Sequence, residues 1–267
     1  METKEIYKLY NGKVLLEYYS DKKKHIYKVD GKIVYGVSSI VGIIDKPKLI
    51  FWAVNQCIDN LKAMWEAGKS YDEIEINNIL ENSKNIHTEK KNVSLTIGTF
   101  VHQWIEKYIN YKLGKNKAPK VPINKEIVNS IKAFLKWEKE NKVKWLESER
   151  KLYSVEYEYA GTLDAEAMVN DELSIIDFKT SNEIYDENLL QVSAYLHARE
   201  EETKQDYKNI YIVRIGKNGE LETKKIKDKE LKDCFKAFLG CLEVYKWQMK
   251  IKDEKIKYLN NNKNISK

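Results

Sequence analysis

Residues 161–181 read G-T-L-D-A-E-A-M-V-N-D-E-L-S-I-I-D-F-K-T-S, and a helical stretch beyond them ends L-L-Q-V-S-A-Y at 189–195. Two strand-like runs, 163–169 and 173–178, flank the polar pair Asn170-Asp171, the composition of a tight turn. In such a hairpin the start of one strand lies beside the end of the other. Asp164, opening the first run, is therefore expected beside Asp177, closing the second. Lys179 follows two residues on, and side chains at i and i+2 share a strand face. Two carboxylates and an amine should meet at one edge of a small sheet.

A hard divalent cation such as Mg²⁺ or Mn²⁺ suits that set, because it takes carboxylate and carbonyl oxygens and leaves positions for water and a phosphate. The main-chain carbonyl of Phe178 points away from its own side chain and is a further candidate donor. An amine beside the ion orients or deprotonates the attacking water and holds negative charge on the phosphate. A turn aspartate with a surface Asp–Lys pair is the simpler reading, worth about 0–1 kcal/mol. The apolar neighbours Ile175, Ile176 and Phe178 argue against it, because a carboxylate ending a buried strand needs a partner.

Other candidates fall on helices. Ile97, Val101, Ile105, Tyr108 and Ile109 mark an amphipathic helix over 95–113, which puts Gly98, His102 and Glu106 on one face. Gln191 and Tyr195, also four apart, share a face of the helix after the hairpin. Glu149, Glu156 and Glu158 precede the hairpin, and the last two read as a solvated face.

The chain has 267 residues, 42% hydrophobic and 33% charged, enough for one large domain with a sizeable core. Its net charge of +6 is carried by lysine, since Arg150, Arg199 and Arg214 are the only arginines. A modest positive balance suits a polyanionic partner, and lysines favour phosphates over base edges. Cys57, Cys234 and Cys241 are odd in number and lack metal-ribbon spacing, as expected for reduced thiols in a cytoplasmic protein. The N-terminal M-E-T-K-E-I-Y-K is charged and lacks the apolar core of a signal peptide, and no apolar run approaches ~18 residues, so neither a signal peptide nor a membrane span is expected.

Outside the centre, tyrosines and aliphatics alternate with lysines over 5–36, broken by Asn11-Gly12 and Asp30-Gly31, the chemistry of hairpins. Ser38 and Ser39 precede an apolar turn that reads as a helix start, and Pro47 opens a helix to about 67. Residues 70–95 read as one amphipathic turn and a lysine-rich loop. Helices are expected at about 124–141, 186–202 and 229–250, with strands at 145–159, 207–215 and 220–226.

Four motifs occur in order: G-x-x-x-H at 98–102, G-T-L-D at 161–164, I-D-F-K-T-S at 176–181 and Q-x-x-x-Y at 191–195. Together they resemble the PD-(D/E)xK nuclease superfamily, and within it the RecB-like exonuclease branch. The match covers about 95–250, and S-S-I-V-G-I-I-D-K-P with Trp52 resembles a segment upstream in that branch. The resemblance implies an α/β fold with a restriction-endonuclease-like core, a central mixed sheet flanked by helices. It implies a nuclease core over 95–258, packed with the N-terminal hairpin and helical extension read over 1–94, while the low-complexity N-N-N-K-N-I-S-K leads to an expected disordered tail over 259–267. His102, Asp164, Asp177 and the Phe178 carbonyl would hold Mg²⁺ or Mn²⁺, and Lys179 would be the catalytic amine. Gln191 and Tyr195 would support the site and touch DNA, and Ser38 and Ser39 would contact substrate. Some relatives carry a four-cysteine iron–sulfur cluster, which three scattered cysteines cannot build, so no iron–sulfur cluster is expected. The implied activity is metal-dependent DNA exonuclease action at single-stranded or frayed ends. A metal-dependent endonuclease, a non-catalytic nucleic-acid-binding module and an unrelated hydrolase with a lysine nucleophile remain alternatives.

Overall fold

The computed structural model describes residues 3–20 and 25–265. Strands β1 (Thr3–Leu9) and β2 (Val14–Ser20) form the first hairpin, and β3 (His25–Val29) and β4 (Lys32–Gly36) the second. Both turn where Asn-Gly and Asp-Gly were expected, with Asn11 at φ +56° and Asp30 at φ +50°. β4 then pairs in parallel with β6 (Tyr159–Val169) through Tyr35 and Gly36, tying the N-terminal strands to the central sheet. The sheet runs β1-β2-β3-β4-β6, continuing to β7 (Glu172–Lys179), β8 (Asn209–Ile215) and β9 (Leu221–Ile226), while β5 (Lys144–Ser154) also pairs with β6. β7 and β8 are parallel and most other neighbours antiparallel, so the chain is α/β with a mixed sheet.

Helices cover both faces of the central strands. α4 (Lys125–Glu140) is capped by Asn124, whose side chain accepts from the Glu126 and Ile127 amides. It brings Phe134 and Trp137 edge-on to Phe178, with Trp145 alongside. α1 (Val37–Val41), α5 (Asp186–Thr203) and α6 (Asp228–Ile265) share another core with the sheet, built on Val37, Ile40, Tyr159, Ile175, Ile212, Val192 and Phe238.

Several expectations need correction. Ser38 and Ser39 lie inside α1, not before it, with Gly36 as the cap residue. α2 (Pro47–Met64) starts at its proline as expected. α3 (Glu73–Lys112) is one 40-residue helix, so the expected loop before residue 95 is helical. No proline interrupts 73–112 and the first glycine is Gly98, so polarity alone does not break the helix. The tail is helical up to Ile265 rather than disordered from 259, while residues 266–267 lie outside the described residues.

The chain also divides elsewhere than the motif boundaries suggest. One compact unit comprises 1–44 with 104–267, and the other comprises 45–103. The N-terminal hairpins join the first unit because β4 hydrogen-bonds to β6. Among the described residues, no helix is long and apolar enough to cross a membrane.

Candidate active site

Asn170 and Asp171, at φ +51° and +64°, turn β6 into β7 as their composition suggested. The register runs from Val169–Glu172 to Ala165–Ile176, and one further step sets Asp164 against Asp177. β6 starts at Tyr159, so Asp164 stands mid-strand and does not open it. On this edge β4 pairs with β6 at 159–160 and β7 pairs with it from 165 on. The G-T-L-D motif at 161–164 occupies the interval between those ladders. There the Phe178 amide donates to Asp164 Oδ2 at 2.7 Å, a side-chain bond replacing a ladder bond. Phe178 thus meets the site through its N–H, and its ring packs on the α4 side.

Asp177 is buried, and Lys179 Nζ lies 2.6 Å from its Oδ2. Lys179 Nζ also donates to Gln191 Oε1 at 3.1 Å, and Gln191 Nε2 donates to the Tyr195 hydroxyl at 2.7 Å. Two strands and α5 therefore bring together Asp164, Asp177, Lys179, Gln191 and Tyr195. Gly161 completes the fit, because a Cβ there would lie 2.6 Å from Tyr195 Cε1. The glycine of G-T-L-D makes room for the tyrosine of Q-x-x-x-Y.

The charges are interlocked. Burial pushes the Asp164 carboxyl up, against the pull of Lys179 and the Phe178 amide. Burial alone would lower Lys179, but Asp177 and Asp164 outweigh it and hold the ammonium above its usual range. Burial, reinforced by Asp177, holds the Tyr195 hydroxyl far up the scale, so it stays protonated.

Glu149 is the residue that the sequence reading missed. β5 pairs Ser148 with Ala165 and Arg150 with Leu163, which sets Glu149 opposite Asp164. It sits at φ +53° within a strand, a conformation unusual for a residue with a side chain. Burial and then Asp164 push its carboxyl up to about 7, with Glu106 adding to the rise. Lys151, buried 3.6 Å away, opposes it, with its ammonium over the Tyr18 ring. A carboxyl raised on folding binds more protons in the folded than in the unfolded state between about 4.5 and 7. Its contribution to stability is therefore lost as pH rises through that window. Glu149→Gln is expected to flatten the fall in melting temperature between pH 5 and 7.5; thermal melts of both proteins check this, and parallel slopes would refute it.

Ser38 and Ser39 are exposed on α1. His102 belongs to the second unit, on α3 one turn after Gly98. Trp104 and Tyr108, further along α3 in the first unit, stack at 5.3 Å. Among the described residues no three His, Cys, Asp or Glu side chains gather as a ready-made ion cage. The oxygens the site offers a cation are therefore the carboxylates of Asp164 and Asp177, fewer than three side chains.

No protein-family model matches the chain, and no curated protein matches it. Among solved structures it is similar to one titled "Crystal structure of SSO0001", at 13% identity over 52% of this chain and 70% of that one, with a TM-score of 0.25. So distant a likeness carries no argument, and the functional reading rests on the residues.

Proposed function

We propose that this chain is a divalent-metal-dependent DNA exonuclease with a restriction-endonuclease-like core, hydrolysing phosphodiester bonds from single-stranded or frayed ends. One observation carries the reading: Asp164 and Asp177 oppose each other on neighbouring strands, and Asp177, Lys179, Gln191 and Tyr195 form one contiguous polar array. That array supports the reading because it joins the D…D-x-K and Q-x-x-x-Y motifs by which the chain resembles the RecB-like branch.

Asp164 and Asp177 would hold Mg²⁺ or Mn²⁺, and burial at Asp164 favours any added positive charge. A bound cation would supply Lewis acidity toward the phosphoryl oxygen and lower the pKa of a bound water. Lys179, kept charged by the two aspartates, stabilises the negative charge that develops on the phosphate. Gln191 Oε1 fixes the ammonium by accepting a hydrogen bond from it, and the Tyr195 hydroxyl accepts from Gln191 Nε2. Binding to DNA falls to lysines, because Arg150, Arg199 and Arg214 are all paired with glutamates. Contacts from point charges favour phosphates, so recognition should depend weakly on base sequence.

The test is incubation with end-labelled linear single- and double-stranded DNA, and with a closed single-stranded circle, in Mg²⁺, Mn²⁺ or EDTA. The expected result is release of nucleotides from linear DNA, abolished by EDTA, with the circle intact. Equal cleavage of circle and linear DNA would make the protein an endonuclease. No cleavage in either metal, with salt-sensitive binding retained, would make it a binding module.

A further inference from the structure

α2 carries an exposed apolar stripe. Two hydrogen bonds tie it to α3: Asn60 Nδ2 donates to Ser83 Oγ at 3.0 Å, and Lys90 Nζ donates to Gln56 Oε1 at 2.5 Å. Phe51, Val54, Ile58 and the following Trp65 are 70%, 51%, 41% and 59% exposed, while Trp52, Cys57 and Leu61 are half-buried. None of its side chains is buried. Phe51, Val54, Ile58, Leu61 and Trp65 are spaced by three, four, three and four residues, the a/d repeat of a helix–helix seam. Ile50 and Met64 widen that stripe and are also exposed.

We propose that this face is the interface of a homodimer, in which α2 pairs with α2 of a second copy, antiparallel about a two-fold axis near residue 56. In that register Val54 packs against the partner's Ile58 and Phe51 against the partner's Leu61, so each a position meets a d position. Charge favours a second copy over nucleic acid. Residues 45–103 carry seven lysines against eight acidic residues, while the rest of the chain carries forty basic against thirty-three acidic. A polyanion is drawn to the basic remainder, whereas a near-neutral apolar face meets its own copy without repulsion. Size agrees as well. Phe51 and Trp65, aromatic side chains of ~150–250 Å² each, are more than half exposed, and with the aliphatic residues of the stripe about 700 Å² per copy would be covered. About 1,400 Å² for the pair lies within the range of stable interfaces.

The inference does not depend on the nuclease reading and is tested without an activity assay. Sedimentation of the full chain from 1 to 100 µM should give about twice the 31.5 kDa chain mass. Ile58→Lys, on an exposed position, should give a monomer with unchanged helical circular dichroism, dissociating at least tenfold more readily. Adding Val54→Glu to Ile58→Lys should restore the dimer in low salt, because each new glutamate meets the partner's new lysine. If Ile58→Lys fails to fold, Phe51→Lys serves as the single variant. Wild type that is monomeric at 100 µM, a single variant that stays dimeric, or a double variant that stays monomeric in low salt would each overturn the proposal. So would wild type that sediments as a monomer while Ile58→Lys loses binding to a single-stranded oligonucleotide, which would assign the face to nucleic acid.

Discussion

Lys179→Met is expected to lower the rate of DNA hydrolysis by about 10²- to 10⁴-fold, the usual contribution of a positioned catalytic side chain. The ammonium lies against Asp177, is bonded to Gln191 and keeps 17% of its side chain exposed, so it can reach a bound phosphate. Methionine keeps the packing volume and removes the charge. Asp177→Asn should be at least as damaging, because it halves the carboxylate pair and leaves the ammonium one anion fewer. On the proposed function, binding of DNA by Lys179→Met should weaken by only a few-fold, because the forty-four lysines of the chain would share the phosphate contacts. Single-turnover cleavage at saturating enzyme, set beside a binding isotherm, separates the two. A Lys179→Met protein that cleaves within threefold of wild type would remove Lys179 from the chemistry.

Arg199→Met is expected to destabilise the fold by about 3–5 kcal/mol, the usual cost of removing one partner from a buried ion pair. For a chain of this size that is a fall in melting temperature of roughly 6–20 °C. Arg199 is buried on α5 and bonds both carboxylate oxygens of Glu166, with Glu202 at 2.9 Å and Glu147 at 3.4 Å. Arg150 meets the same Glu202 at 2.6 Å and Glu147 at 3.2 Å, so three glutamates from β5, β6 and α5 share two guanidiniums. Without Arg199, Glu166 keeps a buried charge with its main counterion gone. Adding Glu166→Gln should then recover part of the deficit, because it removes the buried charge left without its counterion. A double variant that melts no higher than Arg199→Met would contradict this account. Cleavage at low temperature should survive in Arg199→Met, unlike Lys179→Met, because the network does not include Asp177 or Lys179.

The elements that were legible in the sequence were governed by short-range geometry. Asn170-Asp171 marked the turn between two strand-like runs, and the spacing of two between Asp177 and Lys179 placed them on one face. The four-residue step from Gln191 to Tyr195 likewise became a hydrogen bond on α5. What was missed depends on partners distant in sequence. Glu149 lies in E-S-E-R-K, which alternates like any solvated strand. Its role emerges only when β5 registers against β6 and sets it opposite Asp164. The Arg199 network joins residues 147 to 202 and leaves no periodic trace. The polar stretch before residue 95 misled for the opposite reason, since low hydrophobicity conceals a helix that lacks a breaker.

By itself, the sequence determined the hairpin, the helix faces and the residues of the D…D-x-K array, because strand and helix periods are set by covalent geometry within a few residues. Tertiary structure alone decided which strands flank that hairpin, that Gly161 opens space for Tyr195, and that Glu149 stands beside Asp164. It also decided the protonation balance of the site, because burial and opposing charges at Asp164, Lys179 and Glu149 arise only once distant segments exclude water between them.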